Sequence, residues 1–219
     1  MDHAYMIDHL IDMKRYVSGE FTGGDEGRVE EIEYDGIKSK FNLEFCLKFR
    51  VWAPESLRTS APSRITIKTR SKNPPDFGFG PWGEFRLVSE PFVDIVEDLD
   101  PGVHQFIKIP ETYISGWVKI DKYYYIMNVI NTIDALDIEN SNVIFDKFRT
   151  HNNSDIGYVH LMKIAKPFKI SLFRDKIGSA NMWRGSRRSI NRLFFSKKLV
   201  ESLSSRSLSK LPYLVVNLV

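Results

Sequence analysis

The chain has 219 residues, 42% hydrophobic and 27% charged, and its 31 basic and 28 acidic side chains leave a net charge of +3. That length suits one large domain or two small ones, which can bury well over half of their unfolded surface without a disulfide or metal staple. One cysteine, Cys46, excludes an internal bridge, five histidines without zinc-finger spacing exclude a metal-stapled module, and the missing signal pattern and eighteen-residue apolar span point to a soluble cytoplasmic protein.

In chain order, Met6, Ile7, Leu10, Ile11, Met13 and Val17 fit one helical face ending near Gly19, although Tyr5 to Ile7 could equally begin an edge strand. Phe41 to Trp52 alternates apolar and other residues with a period of two, which predicts a strand with one buried face. Arg64 to Thr69 repeats the alternation more weakly. Lys72 to Gly83 is rich in proline and glycine, and predicts a loop and a boundary between an N-terminal strand-rich part, residues 1–75, and the remainder, residues 76–219. Beyond it, Trp117 to Ile120 and Tyr123 to Val129 suggest neighbouring strands joined at Asp121-Lys122. Asn142 to Phe148, Tyr158 to Ile164 and Lys169 to Arg174 are further strand candidates. Short connections favour antiparallel pairing, and the predicted class is α+β: a mostly antiparallel or mixed sheet with a few covering helices.

Two segments repeat one pattern. Leu87-Val88-Ser89-Glu90-Pro91-Phe92-Val93-Asp94-Ile95-Val96 and Phe194-Phe195-Ser196-Lys197-Lys198-Leu199-Val200-Glu201-Ser202-Leu203 each place an apolar pair, a serine, two polar or turn residues and then apolar residues at helical spacing. Each predicts a buried strand ending at a serine that caps the following helix. A turn and a second apolar run follow both, Val103 to Ile109 and Tyr213 to Val219.

Several blocks fall in one order: Asp76-Phe77, Gly83 to Phe92, Gly102 to Pro110, Tyr123 to Ser141, Leu172-Phe173-Arg174 and Phe194-Phe195-Ser196. Over roughly residues 76 to 210 this pattern resembles the "immunity protein 11" family, whose members are encoded beside bacterial polymorphic toxins. The resemblance implies a protein that occludes a cognate toxin domain encoded nearby, without turnover, cofactor or membrane partner. It is a resemblance of structural residues and names no site.

Catalytic patterns are weak. Asp76 with Glu84-Phe85-Arg86 superficially resembles a nuclease metal motif, but arginine replaces the usual lysine, and prolines and glycines crowd the segment. His104, His151 and His160 lack ligand spacing, Gly78-Phe79-Gly80 is no phosphate loop, and Ser89 and Ser196 are expected as caps rather than nucleophiles. Charge is regional: residues 1–165 hold 19 basic and 26 acidic side chains, residues 166–219 hold 12 and 2. Arg184, Arg187, Arg188, Arg192, Lys197 and Lys198 could face phosphate, with Trp183 stacking on bases, or could form a solvated face. Asp94, Glu97, Asp98 and Asp100 line the polar side of the first serine-led helix, and Asp134, Asp137 and Glu139 follow the tyrosine-rich strand. Either group is a solvated face or a docking surface for a basic toxin, with Trp82, Trp117, Tyr123 and Tyr125 as candidate anchors. The residues assigned to partner binding are Asp94, Glu97, Asp98, Asp134, Asp137, Trp117 and Tyr123; a nucleic-acid partner is the alternative.

Overall fold

The computed structural model describes residues 3–7, 18–22, 30–34, 37–43, 46–47, 50–68, 74–79, 86–114, 118–143, 169–186, 192–208, 211 and 213–219. The chain forms two compact units: a middle unit of Met13–Ile130 with Ser207–Ser209, and a terminal unit of Met1–Asp12, Asn131–Arg206 and Lys210–Val219. Mixed and antiparallel sheets with few helices make the class α+β, as the sequence predicts.

The division differs from a boundary at residue 75. Strand β1 (His3–Ile7) lies between β15 (Leu193–Ser196) and β16 (Tyr213–Leu218), antiparallel to both, so the chain's start completes a sheet built from its end. This also makes Tyr5 to Ile7 part of a central strand rather than an edge strand. The helical reading of residues 8–17 lies outside the described residues.

In the middle unit one sheet has the order β6 (Phe77–Phe79), β7 (Arg86–Ser89), β11 (Tyr124–Asn128), β8 (Gln105–Ile109), every neighbour antiparallel. A second has the order β10 (Val118–Ile120), β9 (Glu111–Ile114), β5 (Arg64–Lys68), β2 (Ser18–Thr22), with β5 and β9 parallel. β3 (Glu30–Tyr34) and β4 (Ile37–Phe41) pair as a hairpin. Two sequence expectations change here. β6 lies inside the expected proline- and glycine-rich loop, and β10 and β11, expected as neighbours, belong to different sheets.

Phe41 closes β4, and the described residues from Asn42 to Trp52 are not in a strand. Leu43, Cys46 and Leu47 have helical backbone, with the Cys46 N–H donating to the Asn42 carbonyl at 3.0 Å, and Arg50 turns the chain at φ 60°. The alternation misleads because it counts Cys46 as polar. Buried cysteine behaves as a small hydrophobe, and Leu43, Cys46 and Leu47 then mark a face at i, i+3, i+4. They pack with Leu57 of α1 (Glu55–Thr59), with Ile65 and Ile67, and with Leu87, Ile107, Ile109, Tyr124 and Ile126 from the first sheet. Burial holds the Cys46 thiol up at about 11, so it stays an inert thiol. The other face of that sheet is covered by α2 (Glu90–Leu99), whose Phe92, Ile95 and Val96 are buried and whose Phe92 ring lies 5.6 Å from Phe77.

The terminal unit repeats this arrangement. Its sheet runs β12 (Thr132–Ile133), β14 (Met182–Gly185), β15, β1, β16, β13 (Ser171–Leu172), and α4 (Lys197–Ser205) buries Leu199, Val200 and Leu203. The short helix α3 (Arg174–Ile177) follows β13. On the face away from α4, Ala4, Met6, Leu172, Trp183, Phe194 and Val216 form the core, with Trp183 stacked on Phe194 at 5.6 Å. In both units a hairpin, a helix and a strand enclose one antiparallel strand that comes from elsewhere in the chain. Tyr124 pairs with Ser89 and Ile109, as Ala4 pairs with Ser196 and Val216. The sequence repeat is therefore a repeated supersecondary unit. Of the remaining strand expectations, Lys169 to Arg174 contains only β13, and residues 144–168 lie outside the described residues.

Candidate partner-binding face

The apolar stripe of α2 turns inward, so its remaining positions face solvent. Glu90, Asp94 and Asp98 are exposed, and Glu97 is half-buried with its carboxylate accepting the Gly102 N–H at 3.0 Å. Gly102 takes φ 66°, a left-handed turn that glycine adopts without the strain a side chain brings. Beside the helix start, the Tyr125 hydroxyl donates to Glu90 Oε1 at 3.0 Å. Lys108, cross-strand from Tyr125, places Nζ 3.8 Å from Glu90 Oε1 and 3.7 Å from the centre of the Tyr123 ring, a cation–π geometry. Tyr123 remains 38% exposed. Burial, the bond to Glu90, and the charges of Glu90 and Asp94 push Tyr125 up to about 12, so its hydroxyl stays a donor. The face thus carries fixed carboxylates with a tyrosine pair held in register by one lysine.

Asp94, Glu97, Asp98 and Tyr123 therefore belong to the middle unit, and Asp134 and Asp137 to the terminal one. Asp134 is exposed after β12. Asp137 is 3% exposed, and its carboxylate accepts from Asn140 Nδ2 at 2.7 Å and the Asn140 N–H at 3.2 Å. Those bonds shape a turn, and sequence spacing could not foresee the burial of Asp137. Asp100 is also buried, beside His104. Trp117 and Trp82 lie outside the described residues. Trp52, absent from the sequence-based set, stands 46% exposed. The alternation that placed it at a strand end hid it.

Ser89 precedes α2 but does not cap it. Its hydroxyl donates to Asp76 Oδ1 at 2.8 Å, while its N–H donates to the Asp76 carbonyl at 2.9 Å. Lys122 Nζ binds the same carboxylate oxygen at 2.8 Å. Asp76 is thus neutralised by a lysine rather than aimed at a metal, and Glu84 of the nuclease-like pattern lies outside the described residues. Ser196 behaves as expected: its oxygen accepts the Leu199 N–H at 3.1 Å and its hydroxyl donates to Asn181 Oδ1 at 2.9 Å. Among the described residues no cluster of three or more His, Cys, Asp or Glu could hold a metal ion, and no helix is long and apolar enough to cross a membrane. Within the basic C-terminal cluster Trp183 is 1% exposed and cannot stack on a base. Lys197 and Lys198 are exposed, and Arg187 and Arg188 lie outside the described residues.

A family model described as an immunity protein family, Imm11, matches residues 9–217. This extends well beyond the residues that carry the resemblance in the sequence. No curated protein matches the chain.

Proposed function

The chain belongs to the immunity protein family Imm11, and from that membership we propose that it binds one cognate bacterial toxin domain in the cytoplasm and blocks it by stoichiometric occlusion, without catalysis. The family match carries the immunity function. The docking face is the acidic side of α2 with Tyr123 and Tyr125: its carboxylates suit a basic, nucleic-acid-attacking toxin, and complementary charge speeds encounter and fixes orientation. Asp134, on the terminal unit, is a separate candidate contact. The nucleic-acid alternative loses support because Trp183, its stacking residue, is buried against Phe194.

The test is co-expression with the toxin C-terminal domain encoded by the neighbouring gene. Restored growth together with a one-to-one complex on size-exclusion chromatography is expected. Unrelieved toxicity at equal expression, or protection without a complex, contradicts the reading.

A further inference from the structure

We propose that Tyr123, Tyr125 and Glu90 form a cation seat that the protein's own Lys108 fills until the toxin delivers an arginine or lysine into it; the proposal rests on the toxin-binding reading above. Lys108 shows what the seat takes. Its Nζ lies 3.7 Å from the centre of the Tyr123 ring, 5.9 Å from that of Tyr125 and 3.8 Å from Glu90 Oε1, so two rings and a carboxylate converge on one ammonium. Aromatic faces attract cations within about 6 Å. Tyr123 and Tyr125, two residues apart, share one side of the sheet, and Lys108 is directly cross-strand from Tyr125. The Tyr125 hydroxyl donates to Glu90 Oε1 at 3.0 Å and fixes the carboxylate at the rings. Asp94, one helical turn after Glu90, acts on the same hydroxyl together with Glu90, which joins the seat to the acids of α2.

The fold does not require these residues. At the equivalent register of the terminal unit Tyr5 replaces Tyr125, Val215 replaces Lys108, and Lys197, which follows the helix-leading serine, replaces Glu90. There Tyr5 meets the Tyr213 ring edge-on at 4.6 Å. The convergence of rings, carboxylate and cation is therefore a feature of one copy, added to a frame that forms without it.

Lys108 is a placeholder rather than a tie. Its side chain and that of Glu90 are each 47% exposed, and an exposed ion pair contributes little because water solvates both partners and salt screens them. Leaving the seat therefore costs the lysine little. A toxin cation in the same place is covered by the interface that closes over it, and a cation on an aromatic face gains most where water is excluded. Arginine suits the seat best, since a guanidinium is weakly hydrated, stacks on a ring and bonds a carboxylate at once.

The experiment titrates the neighbouring-gene toxin domain, in an inactive form, into the full chain by calorimetry in about 0.3 M salt, where steering by exposed charges is screened. Lys108→Gln empties the seat and should tighten binding about three- to tenfold. Tyr123→Leu should weaken it at least about tenfold, and both melting temperatures should stay within about 2 °C of wild type. In the Tyr123→Leu background, Lys108→Gln should change affinity by less than about twofold, because the competing lysine has lost its ring. A further readout follows Lys108 in the wild-type chain. Its Cε protons, assigned by their loss in Lys108→Gln, should lie upfield under the Tyr123 ring when free and return toward the ordinary lysine position when the toxin saturates the chain. Unchanged or weakened binding in Lys108→Gln, unchanged binding in Tyr123→Leu, an undiminished Lys108→Gln effect without Tyr123, or Lys108 protons still upfield in the saturated complex overturns the proposal while leaving the immunity reading intact. Absence of any wild-type binding or protection overturns the immunity reading and the seat with it.

Discussion

The Ser89 and Ser196 copies of the hairpin–helix–strand unit share their buried frame and differ at their surfaces. In each, a serine N–H and hydroxyl both bond the residue that opens the hairpin, Asp76 in one and Asn181 in the other, with N–H distances of 2.9 and 2.8 Å. Neutral Asn181 accepts the same bonds that Asp76 accepts with a charge held by Lys122. Outside, the copies diverge. Tyr125 binds Glu90 next to Lys108, whereas Tyr5, at the equivalent register, packs edge-on against Tyr213 at 4.6 Å with Val215 cross-strand. Repeated positions hold the fold, and at the divergent surface the Ser89 copy carries Glu90, Asp94 and Asp98.

The largest expected effect tests the shared frame. Phe92→Ala should cost about 3–5 kcal/mol and Leu199→Ala about 2–5 kcal/mol, because both are fully buried at the same position of the repeat. Urea melts read both, and a loss below about 1 kcal/mol at either site would break the equivalence.

Much of that frame is legible in the sequence, because apolar residues at i, i+3, i+4 after an apolar pair have one sensible burial. The hairpin before each serine is harder to see: Asp76-Phe77 and Asn181-Met182 are short, and their partners lie 13 and 15 residues on. The helical backbone at Leu43, Cys46 and Leu47 is concealed because their burial mimics alternation once Cys46 is counted as polar. Of the candidate face, the acids of α2 follow from periodicity. The burial of Asp137 and the exposure of Trp52 do not, since each depends on distant partners: Ser171 for the Asp137 N–H, Gln105 and Asn128 for Trp52.

A smaller effect separates the copies by charge. Lys122→Ala should cost about 1–2 kcal/mol, since it removes the lysine that binds the largely buried Asp76 carboxylate beside Ser89. Combining Asp76→Asn with Lys122→Met makes this corner like the Asn181 one, and should recover more than half of that loss in the same melts. Failure to recover would show that the charge does more here than hold the serine.

The caps differ as well. Ser196→Ala should cost about 1–2 kcal/mol through loss of the Leu199 N–H bond. Ser89→Ala should cost about 0.5–1.5 kcal/mol through the Asp76 bond alone. The milder demand at Ser89 follows from Pro91, which removes one unsatisfied N–H from the first turn of α2. Thermal melts of the two variants that rank in the opposite order would contradict this.

The smallest effect concerns Tyr125. Its folded-state value of about 12 lies above the ordinary 10.0, so the protonated form is favoured on folding. That contribution is fully present below about pH 10 and fades as pH rises through about 12. Tyr125→Phe should cost under about 1 kcal/mol at neutral pH and should flatten the alkaline fall in stability. The wild-type-minus-variant phenolate absorbance should titrate near 12; a midpoint at the ordinary value would show that Glu90 is not bound.

The central claim, that the acidic copy and not its basic counterpart meets the toxin, is tested most directly by association kinetics with the neighbouring-gene toxin domain. Asp94→Lys with Asp98→Lys leaves Glu97 to hold the Gly102 turn, and Lys197→Glu with Lys198→Glu reverses the equivalent helix in the terminal unit. The account predicts that the first pair slows association by more than about tenfold at low salt, an effect that fades as salt rises, with dissociation little changed. The second pair should shift it by less than about twofold. Unchanged association in the first pair with a large loss in the second would contradict the claim.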